Sequence, residues 1–213
     1  STDTGDTARG ALMQRAREAS SAVSTHLIFF DLEIGEIPQD TYDRVIDDHV
    51  LADYRHYIQH ERDLAKHRLT EAEEKILEET ANTGGRAFGR LFVEVSSRRK
   101  YDYEGEQLTQ SVLLSKFHDP DRDARRKAAA SLSEGVQGDS HVLNFIYNTL
   151  LNEKQTKDRL RGFDTPEASR HLGNEVDPAV VEAMVDTCVA NYGVVSDYYE
   201  LKGKLLGVDE LTH

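Results

Sequence analysis

The chain has 213 residues, with 26 Lys and Arg against 39 Asp and Glu, for a net charge of −13. That sign argues against a nucleic-acid or anionic-membrane surface, which needs clustered cations. The single cysteine, Cys188, excludes an internal disulfide framework and fits a reducing compartment. No apolar run approaches the ~20 residues that span a bilayer.

Leu12, Ala16, Ala19, Val23, Leu27, Phe30 and Ile34 recur every three or four residues. This predicts a helix from about Thr7 to Ile34 with that face inward, ended by Gly35. A second helical region is expected through Tyr42–Lys66, with Leu51, Tyr54 and Ile58 inward. Thr70-Glu71-Ala72-Glu73 is a capping box, in which Thr70 accepts from the third amide and Glu73 reaches back. The helix it opens carries Ile76, Leu77, Thr80, Gly84, Phe88 and Leu91 inward, and Gly84-Gly85 weakens and bends it.

Arg99–Leu108 breaks the helical rhythm: aromatic and charged residues alternate around Glu104-Gly105, a hairpin signal. Helix resumes through Val112–Lys116, Pro120–Val136, Ser140–Arg159 and Pro178–Leu206. All four prolines stand where helices could begin. Asp119-Pro120, Thr165-Pro166 and Asp177-Pro178 each set a cap residue before a proline, whose missing N–H costs nothing at the first helical position. The expected fold class is all-α, a multi-helix array with one short β-hairpin.

The order of these pieces resembles the oligoendopeptidase F family of zinc metallopeptidases. The matching stretches are Leu69–Thr80 (L-T-E-A-E-E-K-I-L-E-E-T), Ala87–Glu94 (A-F-G-R-L-F-V-E), the hairpin Tyr101–Leu108, and Asp119–Ala130. Asn144–Lys157, Arg161-Gly162-Phe163, Leu172–Val176 (L-G-N-E-V) and Tyr198–Gly207 (Y-Y-E-L-K-G-K-L-L-G) follow. The resemblance implies the N-terminal part of a neurolysin-like zincin peptidase that cuts internal bonds of short peptides inside a channel. It implies a zinc cofactor held by H-E-x-x-H and a downstream Glu. The chain contains no H-E-x-x-H, so no catalytic residue and no metal ligand is carried over, and none is expected in this segment. Residues 1–118 are then an N-terminal helical region with the hairpin near 99–108, and 119–213 a helical region leading toward a C-terminal catalytic part. The chain starts at Ser1 without methionine and stops two residues after Leu211, so both ends are expected to be cut. Expected partners are short peptides and that catalytic part, with self-association of the isolated segment. The expected location is cytoplasmic.

The histidines invite a direct test against metal chemistry. His56-Tyr57-Ile58-Gln59-His60 has the i, i+4 spacing that turns two imidazoles to one ion. Tyr57, however, stands where the water-activating glutamate would be. On a continuous helix His49 and His67 share that face. A solvated face is the expected reading, because a closed site needs about four convergent ligands. Cys188 lies on the stripe Val181, Met184, Cys188, Tyr192, Val195, Tyr199, which predicts a buried, inert thiol. Arg122, Arg125, Arg126 and Lys127 follow Asp119, Asp121 and Asp123, a charge order that complements a helix dipole and is expected to be structural. Glu71, Glu73, Glu74, Glu78 and Glu79 are expected on a solvated face. Gly84-Gly85-Arg86 lacks the strand and lysine of a phosphate loop. The alternative function is a non-catalytic, all-helical interaction module.

Overall fold

The computed structural model describes residues 7–208 and 211. Of the described residues, 79% are helical, and one antiparallel two-stranded hairpin makes up the sheet. The helices are α1 (Thr7–Glu36), α2 (Gln39–Val45), α3 (Arg55–Ala65), α4 (Glu71–Ala81), α5 (Gly85–Arg98), α6 (Gln110–Ser115), α7 (Arg122–Gly138), α8 (Ser140–Arg161), α9 (Ala168–Gly173), α10 (Pro178–Ala190) and α11 (Tyr192–Leu206). Short 3-10 helices cover His49–Tyr54 and Lys116–His118, and the strands are β1 (Tyr101–Tyr103) and β2 (Glu106–Leu108). The chain divides into two compact units, residues 1–94 with 144–175, and residues 95–143 with 176–213.

In the first unit α1 packs against α3 and α4. Gly35 lies inside α1 rather than ending it, because the helix runs on to Glu36. A Cβ at position 35 would stand 2.7 Å from the Ala65 Cβ, so glycine is what lets α3 approach. Beside this contact Ile34 is buried, and the buried Glu61 pairs with Arg68. Arg62 donates to the Ile37 carbonyl (2.5 Å) and lies over the Tyr42 ring at 4.3 Å. The capping box of α4 is present: the Glu73 amide donates to Thr70 Oγ1 (3.4 Å) and the Thr70 amide to Glu73 Oε2 (3.0 Å). α4 stops at Ala81 and α5 restarts at Gly85, so the glycine pair ends one helix instead of bending it.

Two further expected features of this unit differ. The region 42–66 is not one helix, because Asp48 turns extended (ψ 136°) and its carboxylate accepts from the Val50 amide, which ends the preceding run and opens a 3-10 helix. The predicted inward face of α1 is also largely open. Leu12, Val23, Leu27 and Phe30 are each more than half exposed, as is Ile76 of α4. Helical spacing was right there, but no described element covers it.

The second unit has the clearest core. The hairpin pairs Tyr101 with Leu108, Asp102 with Gln107 and Tyr103 with Glu106. Glu104 and Gly105 turn it with φ of 55° and 87°, the left-handed pair that a two-residue turn requires. Strand alternation sends Tyr101 and Tyr103 inward against Leu113 and Ala128, with Leu108, Phe117 and Leu132 packed around them. Gly135 of α7 presses on the Tyr101 ring, where a Cβ would come within 2.6 Å. The cap of α7 is Asp121, which accepts from the Asp123 amide (2.9 Å), not Asp119. Likewise α9 begins at Ala168 after an uncapping Glu167, so Thr165-Pro166 forms a loop. Asp177 with Pro178 caps α10 as predicted. The expected single helix 178–206 breaks at Asn191, whose side chain donates to the Thr187 carbonyl (2.7 Å). Gly207, at φ 64°, ends α11, and the Val208 amide returns to the Gly203 carbonyl (3.1 Å). The continuation through 209–210 lies outside the described residues.

Candidate functional site

α3 carries the two histidines with metal-site spacing, and the fold adds a carboxylate to them. Glu175 follows α9 in the left-handed conformation (φ 53°), which is uncommon for a non-glycine residue. Its Oε2 lies 2.7 Å from His56 Nε2 and its Oε1 3.7 Å from His60 Nδ1. His56 is 80% exposed and His60 22%. One carboxylate thus spans both rings, at the rim of the first unit.

The other two histidines leave the stripe. His49 sits in the 3-10 helix beside Asp48 (3.1 Å) and faces solvent. His67 falls beyond the end of α3, where it is structural. Its Nδ1 donates to the Arg161 carbonyl (2.9 Å), its ring stacks on Phe163 at 3.9 Å, and Arg161 Nη1 donates back to the His67 carbonyl (3.1 Å). Arg161 also grips Glu74 with both fork nitrogens (2.6 and 2.7 Å).

Two histidines and a glutamate are donors of the kind that hold zinc, but their placement here is not that of a metal centre. Among the described residues no group of three His, Cys, Asp or Glu has metal-holding geometry. Tyr57, in the place of a general base, donates its hydroxyl to Asp31 (2.7 Å). That bond, with partial burial and the Asp31 charge, pushes the phenol up to about 12, so it stays protonated and can neither activate water nor attack.

Cys188 corrects the reading of a buried thiol: it is exposed. Its stripe has helical core spacing, yet α10 shows Val180, Met184, Val185 and Val189 to solvent as well. The basic cluster is engaged as structure: Arg125 donates to the Asp119 and Pro120 carbonyls (2.7 and 3.0 Å), Arg126 to Asp123 (3.0 Å), and Lys127 to Glu104 (2.6 Å). The acidic face of α4 is not uniformly solvated. Glu74 holds Arg161, and Glu78 holds Arg86 through two bonds of 2.8 Å. Spacing revealed His56 and His60, but Glu175 and Arg161 lie far along the chain, with no local signal linking them to α3 or α4.

Comparison with known proteins agrees with the fold. Residues 33–101 match the N-terminal peptidase M3 family model, described as oligopeptidase F. The crystal structure of oligoendopeptidase-F from Enterococcus faecium superposes with a TM-score of 0.86 at 24% identity, covering 98% of this chain and 43% of that one. A protein of Chlamydophila abortus, provisionally assigned as a peptidase, gives 0.72 at 18% identity, covering 86% and 32%. The chain spans less than half the length of these solved structures. No curated protein matches it. Among the described residues, no helix is long and apolar enough to cross a membrane.

Proposed function

We propose, from the premise that this chain is the N-terminal helical region of an oligoendopeptidase F relative, that it forms part of the wall of a peptide-cleaving channel and does none of the chemistry itself. The observation that carries this reading is the correspondence of fold over 98% of the chain, joined to the family match at residues 33–101. The substrate class is short peptides, cut at internal bonds, and the reaction is zinc-assisted hydrolysis. The zinc ligands and the general base belong to a further, C-terminal part, since these 213 residues contain no H-E-x-x-H. Zinc bound there would polarise the scissile carbonyl and lower the pKa of water.

The apolar face of α10 and α11 supports the same reading. Val180, Met184, Val194, Tyr198, Leu205 and Leu206 are all exposed, and a face of that kind is ordinarily covered by a partner. Its proposed cover is the catalytic part. A cytoplasmic location belongs to this reading too, supported by the single cysteine.

The test begins with the gene. The codons beyond His213 are expected to encode an H-E-x-x-H helix, and the whole product to cleave an internally quenched short peptide in a chelator-sensitive manner. The 213-residue chain alone is expected to leave that peptide intact, with or without zinc. A stop codon directly after His213 would favour the alternative, an interaction module without chemistry. Turnover by the 213-residue chain that vanished in a His56→Ala, His60→Ala variant would overturn the assignment.

A further inference from the structure

Between α1 and the α4–α5 pair, within the first unit, lies a cleft of about 520 Å³. That is within the ~300–1,000 Å³ typical of small-molecule sites. Its charge runs against that of the chain. Arg9, Arg17, Arg86 and Arg90 border it against two carboxylates, Glu78 and Glu94, in a protein of net charge −13.

Both carboxylates are already engaged. Glu78 is held by the Arg86 fork and by the Ser21 hydroxyl (2.9 Å), and Arg86 keeps its carboxyl below the ordinary value. Arg90 donates to Glu94 (2.8 Å) and to Gln14 (3.1 Å). Arg17 is different. It is half-buried and makes no hydrogen bond or ion pair among the described residues. Ser20 and Ser24, one turn and two turns further along α1, share its face. Asn82, which ends α4, lines the same cleft, and among the described residues the side chains of Ser20, Ser24 and Asn82 likewise make no hydrogen bond. Met13 and Val93 supply apolar surface, and Gly89 leaves room: a Cβ there would meet nothing within 4 Å.

A guanidinium in a partly desolvated cleft, flanked by neutral donors, is the arrangement that recognises an oxyanion, because charge-assisted bonds are the strongest such a site can make. We propose that this cleft binds a small organic oxyanion, a phosphate monoester or a carboxylate on an apolar body, with Arg17 as the anchoring cation and Ser20, Ser24 and Asn82 as hydrogen-bond donors. The site is independent of peptide hydrolysis and does not rest on the peptidase reading.

Calorimetric titration of the 213-residue chain at low ionic strength tests it, with phenyl phosphate, phenylacetate and neutral benzyl alcohol as probes. Binding is expected for at least one anion and not for the alcohol. Phenyl phosphate alone would mark the source as a phosphate ester, phenylacetate alone as a carboxylate. Arg17→Ala is expected to weaken the anion about tenfold or more. Because Arg17 makes no hydrogen bond or ion pair among the described residues, the circular dichroism of the variant should be unchanged. Gly89→Leu fills the cleft without removing charge, and is expected to lose binding while its helix keeps or gains stability. Equal affinity in both variants, equal binding of benzyl alcohol, or no heat from either anion overturns the proposal.

Discussion

Glu74 shows how one side chain ties distant segments together. Burial by itself would raise its pKa, but the Arg161 fork and the Leu69 amide outweigh that and hold the carboxyl below its ordinary value of 4.5. Its side chain is only 15% exposed, so screening by solvent is limited and the pair contributes more than a surface ion pair does. Glu74→Ala removes the two Arg161 bonds and the Leu69 amide bond, and leaves the Arg161 fork short of acceptors. The expected cost is about 2 kcal/mol, a fall of roughly 4–8 °C in melting temperature for a chain of this size. The pH dependence follows from the sign of the shift. The folded form binds the proton more weakly than the unfolded chain, so the stabilisation is complete above about pH 4.5 and is lost as pH falls through the depressed folded value. Glu78 shifts the same way through Arg86. Melting curves collected downward from pH 6 should therefore fall more steeply for the parent chain than for Glu74→Ala. Parallel curves would mean that Glu74 contributes no linkage.

At the scale of elements, the contact of α1 with α3 is set by Gly35. Alanine there would gain up to about 1 kcal/mol of helix propensity. It would also put a Cβ 2.7 Å from that of Ala65, an atom fixed to the helix backbone that cannot turn aside. Overpacking of this kind costs roughly 1–3 kcal/mol, so Gly35→Ala is expected to destabilise. Adding Ala65→Gly should recover part of the loss, a coupling that denaturant melts of the four variants would measure. Independent additivity would show that the helices simply separate. This contact also marks where the sequence was legible and where it was not. The hairpin at Glu104-Gly105, the Thr70–Glu73 box and the Asp177-Pro178 start were readable because the residues that form them are neighbours. Gly35 read as a helix end because its real cause, Ala65, lies on another helix. The break at Asp48 was hidden by a periodic pattern that an Asp cap overrode, and the break at Asn191 by continuous apolar spacing. For the candidate site, the i, i+4 pair His56 and His60 was legible, whereas the Glu175 that joins them was not. The inward face assigned to α1 and the buried state assigned to Cys188 failed for one reason: spacing says which residues share a face, not whether anything covers it.

The chain as a whole carries large exposed apolar side chains on many of its helices, and α11 is dense in them. Leu205 is 78% exposed and Val194 69%, and they stand with Tyr192, Val195, Tyr198, Leu201 and Leu206 on α11. Exposed on more than one side, this helix offers an apolar surface that water disfavours and that a second copy can cover when nothing else does. The isolated 213-residue chain is therefore expected to self-associate through α10 and α11. Light scattering should give a mass above 24.0 kDa that rises with concentration. Val194→Glu with Leu205→Glu places charges where the contact would form and touches no core residue, so it should return the mass to that of one chain while leaving the helical circular dichroism intact. A double variant that still associates would move the contact to another face, such as the open side of α1. A parent chain that stays monomeric at high concentration and melts well above about 65 °C, beyond the usual mesophile range, would show that α10 and α11 need no cover. The exposed face would then no longer support the proposed catalytic part as its partner, and the fold correspondence would carry the peptidase reading alone.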